Sequence, residues 1–218
     1  MADFTIVLGD CNTSSWSLRG WLTLKRTGAD FDEIRVTFKD PDVKSHILVH
    51  SPSGLVPMLK HQTPSGEIQV WESLAIIEYL NELYPQAAFW PAGQTARARA
   101  RTVSAEMHAG FSPLRNHMPM NLNEKKPLQE GMGEGVADNI ARICAIWEDC
   151  RVRFGQGPEG RGDFLFGDFT AADIMFAPVV TRFQTYGVEL STLCRAYADA
   201  VLAQPDMREW AAGALAEG

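Results

Sequence analysis

Cysteine is scarce in this sequence: Cys11, Cys144, Cys150 and Cys194 are the whole set. No two of them form C-x-x-C, and none stands at metal-ligand spacing from a histidine. This argues against a zinc site or a disulfide framework and suits reduced thiols in a cytosolic protein. Positive charge is also short, with 20 Lys and Arg against 27 Asp and Glu and a net charge of −7. Nucleic acid and anionic membranes need a basic face, so neither is an expected partner. No apolar run reaches the ~18 residues that a membrane span requires. No basic stretch precedes the apolar start, so Met1 to Leu8 reads as a first strand and not as a signal peptide. Internal repeats and low-complexity tracts are lacking, and the polar stretches are short, which argues against long disorder. What remains is 218 residues at 45% hydrophobic content, enough for one large or two small domains.

The first 84 residues mix two periods. Phe4 to Leu8 is a short apolar run followed by Gly9-Asp10, the signature of a buried parallel strand. Asn12-Thr13-Ser14-Ser15 then supplies four N-cap residues in a row, Leu18, Trp21, Leu22 and Lys25 follow helical spacing, and Gly28 stops the helix. Phe31 to Thr37 alternates as a second strand, and Val43, Ile47 and Leu48 mark a short helix. Val56 to Lys60 and Ile68 to Trp71 flank the turn Thr63-Pro64-Ser65-Gly66, which predicts a hairpin. Glu72-Ser73 opens a helix with Leu74, Ile77, Leu80 and Leu83 on one face, ending before Pro85. The order β-α-β-α-β-β-α is the thioredoxin-like plan. A linker over residues 85–94 leads into residues 95–218, which are helical throughout. Helices are expected near Arg97–His117, Glu134–Phe154, Thr170–Thr185, Leu190–Ala203 and Met207–Leu215, with a surface loop over 155–163.

Two motifs carry a family resemblance. Glu72-Ser73-x-Ala75-Ile76-x-x-Tyr79-Leu80, preceded by Val56-Pro57-Met58-Leu59, resembles the core of the glutathione transferase N-terminal domain. Thr170-Ala171-Ala172-Asp173-Ile174, after Phe166-Gly167-Asp168, resembles that family's C-terminal capping motif. The resemblance implies an α/β thioredoxin-like domain joined to an all-α domain, and glutathione as co-substrate with no metal. It implies activation of the glutathione thiol for attack on a small hydrophobic electrophile, by conjugation or glutathione-dependent isomerisation. It further implies a cis Val56–Pro57 bond, with Val56 and Pro57 meeting the cysteinyl amide of glutathione as an added strand would. Glu72 and Ser73, at a helix start that attracts carboxylate, would hold the γ-glutamyl end. Lys39 would reach the glycine carboxylate.

The thiol needs a partner that favours thiolate near neutral pH. One hydroxyl donating to sulfur can supply ~1.5–3 kcal/mol, or one to two pK units. Ser14, then Ser15, then Thr13 are the candidates, ahead of Trp16. The segment resembles the serine-type transferases, including the zeta class, but Ser14 stands where that class has cysteine, and Asn12 and Thr13 where it has a serine pair. Two other readings stay open: a glutaredoxin-like thiol oxidoreductase using Cys11 in Cys11-Asn12-Thr13-Ser14, and a non-catalytic binding or regulatory family member. Cys11 lies early for a helix-start nucleophile and reads better as a small buried hydrophobe ending the first strand. Met107, His108 and Phe111 are candidates for a second-substrate pocket, with Met107 and Phe111 on one helix face, or else for core. His46 and His50 at i, i+4 lack a third ligand. Thr170 and Asp173 read as a capping box, fold residues and not ligands.

The resemblance also implies a homodimer. The sequence adds a possible charge match between Arg97, Arg99 and Arg101 and the pair Glu78 and Glu82, which a two-fold axis would repeat.

Overall fold

The computed structural model describes residues 2–155 and 162–217. Most of the expected 155–163 loop therefore lies outside the described residues. The contacts divide the chain into two compact units, one running to Ala87 and taking in the residues from Trp210 onward, the other spanning Ala88–Glu209. Assigning the residues from Trp210 onward to the first unit departs from the sequence-based boundary, which gave 95–218 to the helical domain.

The first unit is built on a four-stranded sheet in the order β2-β1-β3-β4. Strand β1 (Phe4–Leu8) pairs parallel with β2 (Phe31–Arg35) and antiparallel with β3 (Met58–Thr63), which forms a hairpin with β4 (Gly66–Trp71). Ile6, Val7 and Leu8 are wholly buried, as a central strand covered on both faces requires. Helix α1 (Ser15–Thr27) follows β1, and α2 (Val43–His50) follows β2. Gly28 stops α1 in the left-handed conformation, the use to which glycine is best suited at a C-cap. Helix α3 (Ser73–Leu83) follows β4 and packs against α1. Gly20 permits one close approach: a Cβ there would sit 2.7 Å from the ring of Pro57.

The second unit holds α4 (Gln94–Ala109), α5 (Ser112–His117), α6 (Val136–Phe154), α7 (Ala171–Thr185) and α8 (Thr192–Ala203). A further helix, α9 (Pro205–Ala216), runs across the boundary in sequence. Helix α7 is buried along nearly its whole length. The core around it packs Trp147 of α6 edge-on or tilted against Phe176, Phe183 and Tyr197 with ring centroids 4.9–6.0 Å apart.

One expected helix is two. The run predicted over Arg97–His117 breaks at Gly110 and Phe111, where Phe111 adopts a left-handed conformation with φ 64°. Pro113 lies in the first turn of α5, a position a proline favours because its missing N–H is not needed there. Met107 and Phe111 therefore do not share one helix face.

Candidate functional site at one end of the sheet

Strand register gathers the sequence-predicted residues. Val7 lies opposite Met58, and Met58 lies opposite Trp71. One step further along each strand, Leu8, Pro57 and Glu72 reach the same end of the sheet. The Val36 amide donates to the Leu8 carbonyl at 2.8 Å, which brings the chain after β2, and so the Thr37–Lys39 stretch, to that end as well. The β1–α1 loop, the Val56–Pro57 bond and the start of α3 are thus neighbours because three strand ends are aligned.

The Val56–Pro57 bond is cis, as the resemblance implies. Val56 is half-buried and Pro57 buried. Glu72 is exposed and has φ 70° and ψ 126°, a left-handed-side conformation that costs a residue with a Cβ on the order of 1 kcal/mol or more. Such strain, held at the N-cap of α3, marks Glu72 as a residue placed by its surroundings and not by its own preference. Ser73 follows as the first residue of α3 and is fully buried. Lys39 is exposed, and its amide donates to the Thr37 hydroxyl at 3.2 Å.

The three hydroxyl candidates are not equivalent. Ser14 is the N-cap of α1, and its Oγ accepts from the Ser17 amide at 3.3 Å. Its own proton goes to Ser17 Oγ at 2.7 Å, and Ser17 Oγ in turn accepts from the Gly9 amide at 2.8 Å. The Ser14 amide donates to the Asp10 carbonyl at 3.0 Å, closing the turn. Ser14 is thus committed as donor and acceptor inside the fold and is buried, and Ser15, the first helical residue, is buried too. Thr13 alone of the three is exposed.

Cys11 is buried and precedes the helix, but it lies in the turn after β1 and does not end that strand, which stops at Leu8. Burial pushes its thiol up to about 12; the Arg35 guanidinium pulls the other way, and the Glu217 carboxylate adds to the rise. A thiol held protonated in this way is a poor nucleophile, which argues against a glutaredoxin-like role. All four cysteines are free.

Sequence reasoning missed what holds Cys11 in place. Arg35 donates to its Sγ at 2.6 Å, Glu217 accepts from its amide at 2.7 Å, and the Trp210 indole donates to its carbonyl at 2.8 Å. Glu217 lies 206 residues away along the chain, and no local pattern announces such a contact.

Met107 and Phe111 are buried and His108 half-buried, and all three belong to the second unit. His46 Nδ1 lies 3.0 Å from an Asp40 carboxylate oxygen, and among the described residues no three His, Cys, Asp or Glu side chains gather as metal ligands. Thr170 and Asp173 form the expected capping box. Asp173 accepts from the Thr170 amide at 2.7 Å and hydroxyl at 2.9 Å, and from the Leu165 amide at 3.1 Å. No helix among the described residues is long and apolar enough to cross a membrane.

Comparison with known proteins agrees with this layout. Residues 13–83 match the family model for the glutathione S-transferase N-terminal domain, and residues 94–212 match that for its C-terminal domain. A Pseudomonas aeruginosa maleylacetoacetate isomerase is 30% identical over 209 residues, covering 91% of each chain. A Ralstonia maleylpyruvate isomerase is 30% identical over 185 residues, covering 82% of this chain and 81% of its own. Among solved structures, a Burkholderia glutathione transferase homologue with bound glutathione superposes with a TM-score of 0.71 at 24% identity, covering 99% of each chain, a likeness of fold. With a cis-proline loop, a strained helix start and an exposed hydroxyl gathered at one sheet end, and both halves matched in order, the chain belongs to the glutathione S-transferase family and is a glutathione-dependent enzyme of the transferase or isomerase kind.

Proposed function

We propose that this enzyme isomerises a cis-butenedioyl (maleyl-type) acid to its trans form, with glutathione as a recycled co-substrate. The observation that carries the reading is the 30% identity, over nine-tenths of both chains, to a protein named maleylacetoacetate isomerase. The chemistry uses the site already described. The thiolate adds to one alkene carbon, forming a C–S bond while the π electrons move to the conjugated carbonyl oxygen. Rotation about the resulting single bond follows. The enolate then restores the double bond and expels the thiolate, so no glutathione is consumed and no atom is lost.

The places of the residues support the following roles. Val56, ahead of the cis-proline, meets the cysteinyl amide. Glu72, with Ser73, meets the γ-glutamyl ammonium and carboxylate, and Lys39 meets the glycine carboxylate. Thr13, at the positive end of α1, is the hydroxyl that donates to sulfur, with Ser14 holding the turn and Ser15 heading the helix. Conjugation to a small hydrophobic electrophile is the second reading, since it uses the same thiolate and differs only in what the sulfur attacks.

The deciding experiment supplies maleylacetoacetate or maleylpyruvate in large excess over glutathione. Many substrate molecules converted for each glutathione present, with the thiol recovered, is the expected result. One-for-one loss of thiol, or no conversion, would overturn isomerisation.

A cytoplasmic homodimer completes the proposal, supported by family membership. The charge-pairing account of that dimer is weakened by intrachain partners. Arg97 donates to the Pro91 and Ala92 carbonyls, Arg99 lies 3.3 Å from Asp149, and Arg101 lies over the Trp90 ring. Ile68, Trp71 and Leu83 are exposed on β4 and α3 and are the better candidates for a subunit contact. Light scattering at micromolar concentration checks it: a mass near the monomer's 24.1 kDa would rule the dimer out.

A further inference from the structure

The loop that presents Thr13 is held by side chains from the far end of the sequence. Glu217 receives two consecutive loop amides, Cys11 on Oε1 at 2.7 Å and Asn12 on Oε2 at 3.1 Å. Trp210 Nε1 donates to the Cys11 carbonyl at 2.8 Å. Arg35 ties these groups together: it donates to Cys11 Sγ, lies 3.7 Å from Glu217 Oε1, and stacks over the Trp210 ring at 5.1 Å. Trp210 is itself packed on Trp21 of α1, with ring centroids 5.2 Å apart. Gly213 faces the sulfur so closely that a Cβ there would come within 3.1 Å of it. Every one of these contacts falls within the first compact unit.

We infer that residues 210–217 form a clasp that positions the β1–α1 loop for thiol activation, with Glu217 and Trp210 as positioning residues. The inference rests on the proposed thiolate site and adds to it the residues that fix its geometry. A helix docked only for stability needs apolar cover, which Trp210 and Ala214 provide by burial. The polar contacts here do something else: they land on the two residues just before Thr13. With the Cys11 amide and carbonyl and the Asn12 amide all engaged, the peptide planes leading into Thr13 have one orientation. A hydroxyl must meet a developing or resident charge within a few tenths of an ångström, and misplacement by about 1 Å can cost on the order of 100-fold in rate. The clasp therefore acts on the thiolate through the loop, without touching glutathione.

The test uses the intact enzyme carrying Glu217→Gln, Glu217→Ala or Trp210→Phe; the last keeps an aromatic ring in the pocket while giving up the indole donor and part of the ring's volume. Three quantities are read: the pH at which bound glutathione gains thiolate absorbance, kcat and KM for glutathione, and hydrogen exchange at the Cys11 and Asn12 amides. A working clasp gives faster exchange at both amides, a thiolate transition displaced to higher pH, and kcat lowered roughly 5–20-fold with KM for glutathione changed by less than about threefold. Glu217→Asp should restore part of kcat. If exchange quickens, or melting temperature falls, while the thiolate transition and kcat stay at wild-type values, the segment is structural only and the inference is overturned. If the wild type itself shows no thiolate on adding glutathione, the site reading falls and takes the clasp's role with it. That outcome is distinguished from failure of the clasp alone by the wild-type control.

Discussion

Helices α1 and α7 begin with similar chemistry and opposite purposes. At α7, Thr170 and Asp173 satisfy one another and the Leu165 amide, and both are buried, with Asp173 wholly so. Nothing is left over for a ligand. At α1, Ser14 and Ser17 close the cap between themselves, and Thr13 stands outside it with its side chain exposed. The difference teaches how a helix start becomes a site: the cap is completed first by buried groups, and function uses the residue beside the cap. The start of α3 is a third case, in which Glu72 caps nothing with its side chain and holds a strained conformation instead.

The sharpest break of this comparison is Asp173→Ala. It strands two buried amides and a hydroxyl, and should destabilise by about 2–4 kcal/mol. Turnover per folded molecule should not change. Thermal or urea denaturation beside activity measures both; preserved stability with lost turnover would reverse the assignment of α7 as a purely structural start.

A second effect concerns proton linkage at the same residue. Burial raises the Asp173 carboxyl from an ordinary 3.8 to about 6, against three hydrogen bonds that favour the charged form; the Tyr197 hydroxyl and the Cys150 thiol face it. The folded chain therefore holds this proton more tightly than the unfolded chain. Its stabilising contribution is full below about pH 4 and is lost as pH rises through 6. Relative to Asp173→Asn, the wild type should gain stability between pH 7 and pH 4, by up to ~3 kcal/mol. Urea midpoints of the two proteins at several pH values read this directly; a wild type that gains nothing, or loses stability, relative to the variant on acidification would contradict it.

The α1 start is sharpened by a pair of substitutions. Thr13→Val keeps the shape and removes the hydroxyl, and should lower kcat by roughly 10–100-fold at nearly unchanged stability. Ser14→Ala should cost about 1 kcal/mol of stability as a lost cap, with any loss of rate following from a loosened turn. The reverse pattern, a silent Thr13→Val and an inactive but stable Ser14→Ala, would return the thiol to Ser14. At α3, Glu72→Gly relieves the positive φ and should raise stability by up to about 1 kcal/mol while weakening glutathione binding. Calorimetric titration and melting of one preparation suffice; no loss of affinity would remove Glu72 from the site.

What the sequence made legible was local. The apolar run at Phe4–Leu8, the Thr63–Gly66 turn and the start of α3 follow from neighbours a few residues apart, and the structure has them there. The break after α4 was less visible because Met107, Phe111 and Leu114 keep helical spacing across it, although Pro113 signals it. The commitment of Ser14 was hidden because it depends on Ser17 finding the Gly9 amide, a tertiary fact. Glu217 and Trp210 were out of reach for a stronger reason: their partners lie some two hundred residues away, and neither belongs to a recognisable pattern.

The hairpin turn at Pro64-Ser65 lies at the opposite end of β3 and β4 from Pro57 and Glu72, and its residues are exposed. Its backbone departs from the ladder only after Thr63 has paired with Gly66. Peptide tags, fluorophores or a graft of foreign sequence spliced between Pro64 and Ser65 would ride on strands whose register is already fixed by six pairs. A labelling handle placed there would report on this enzyme without a hand in its chemistry.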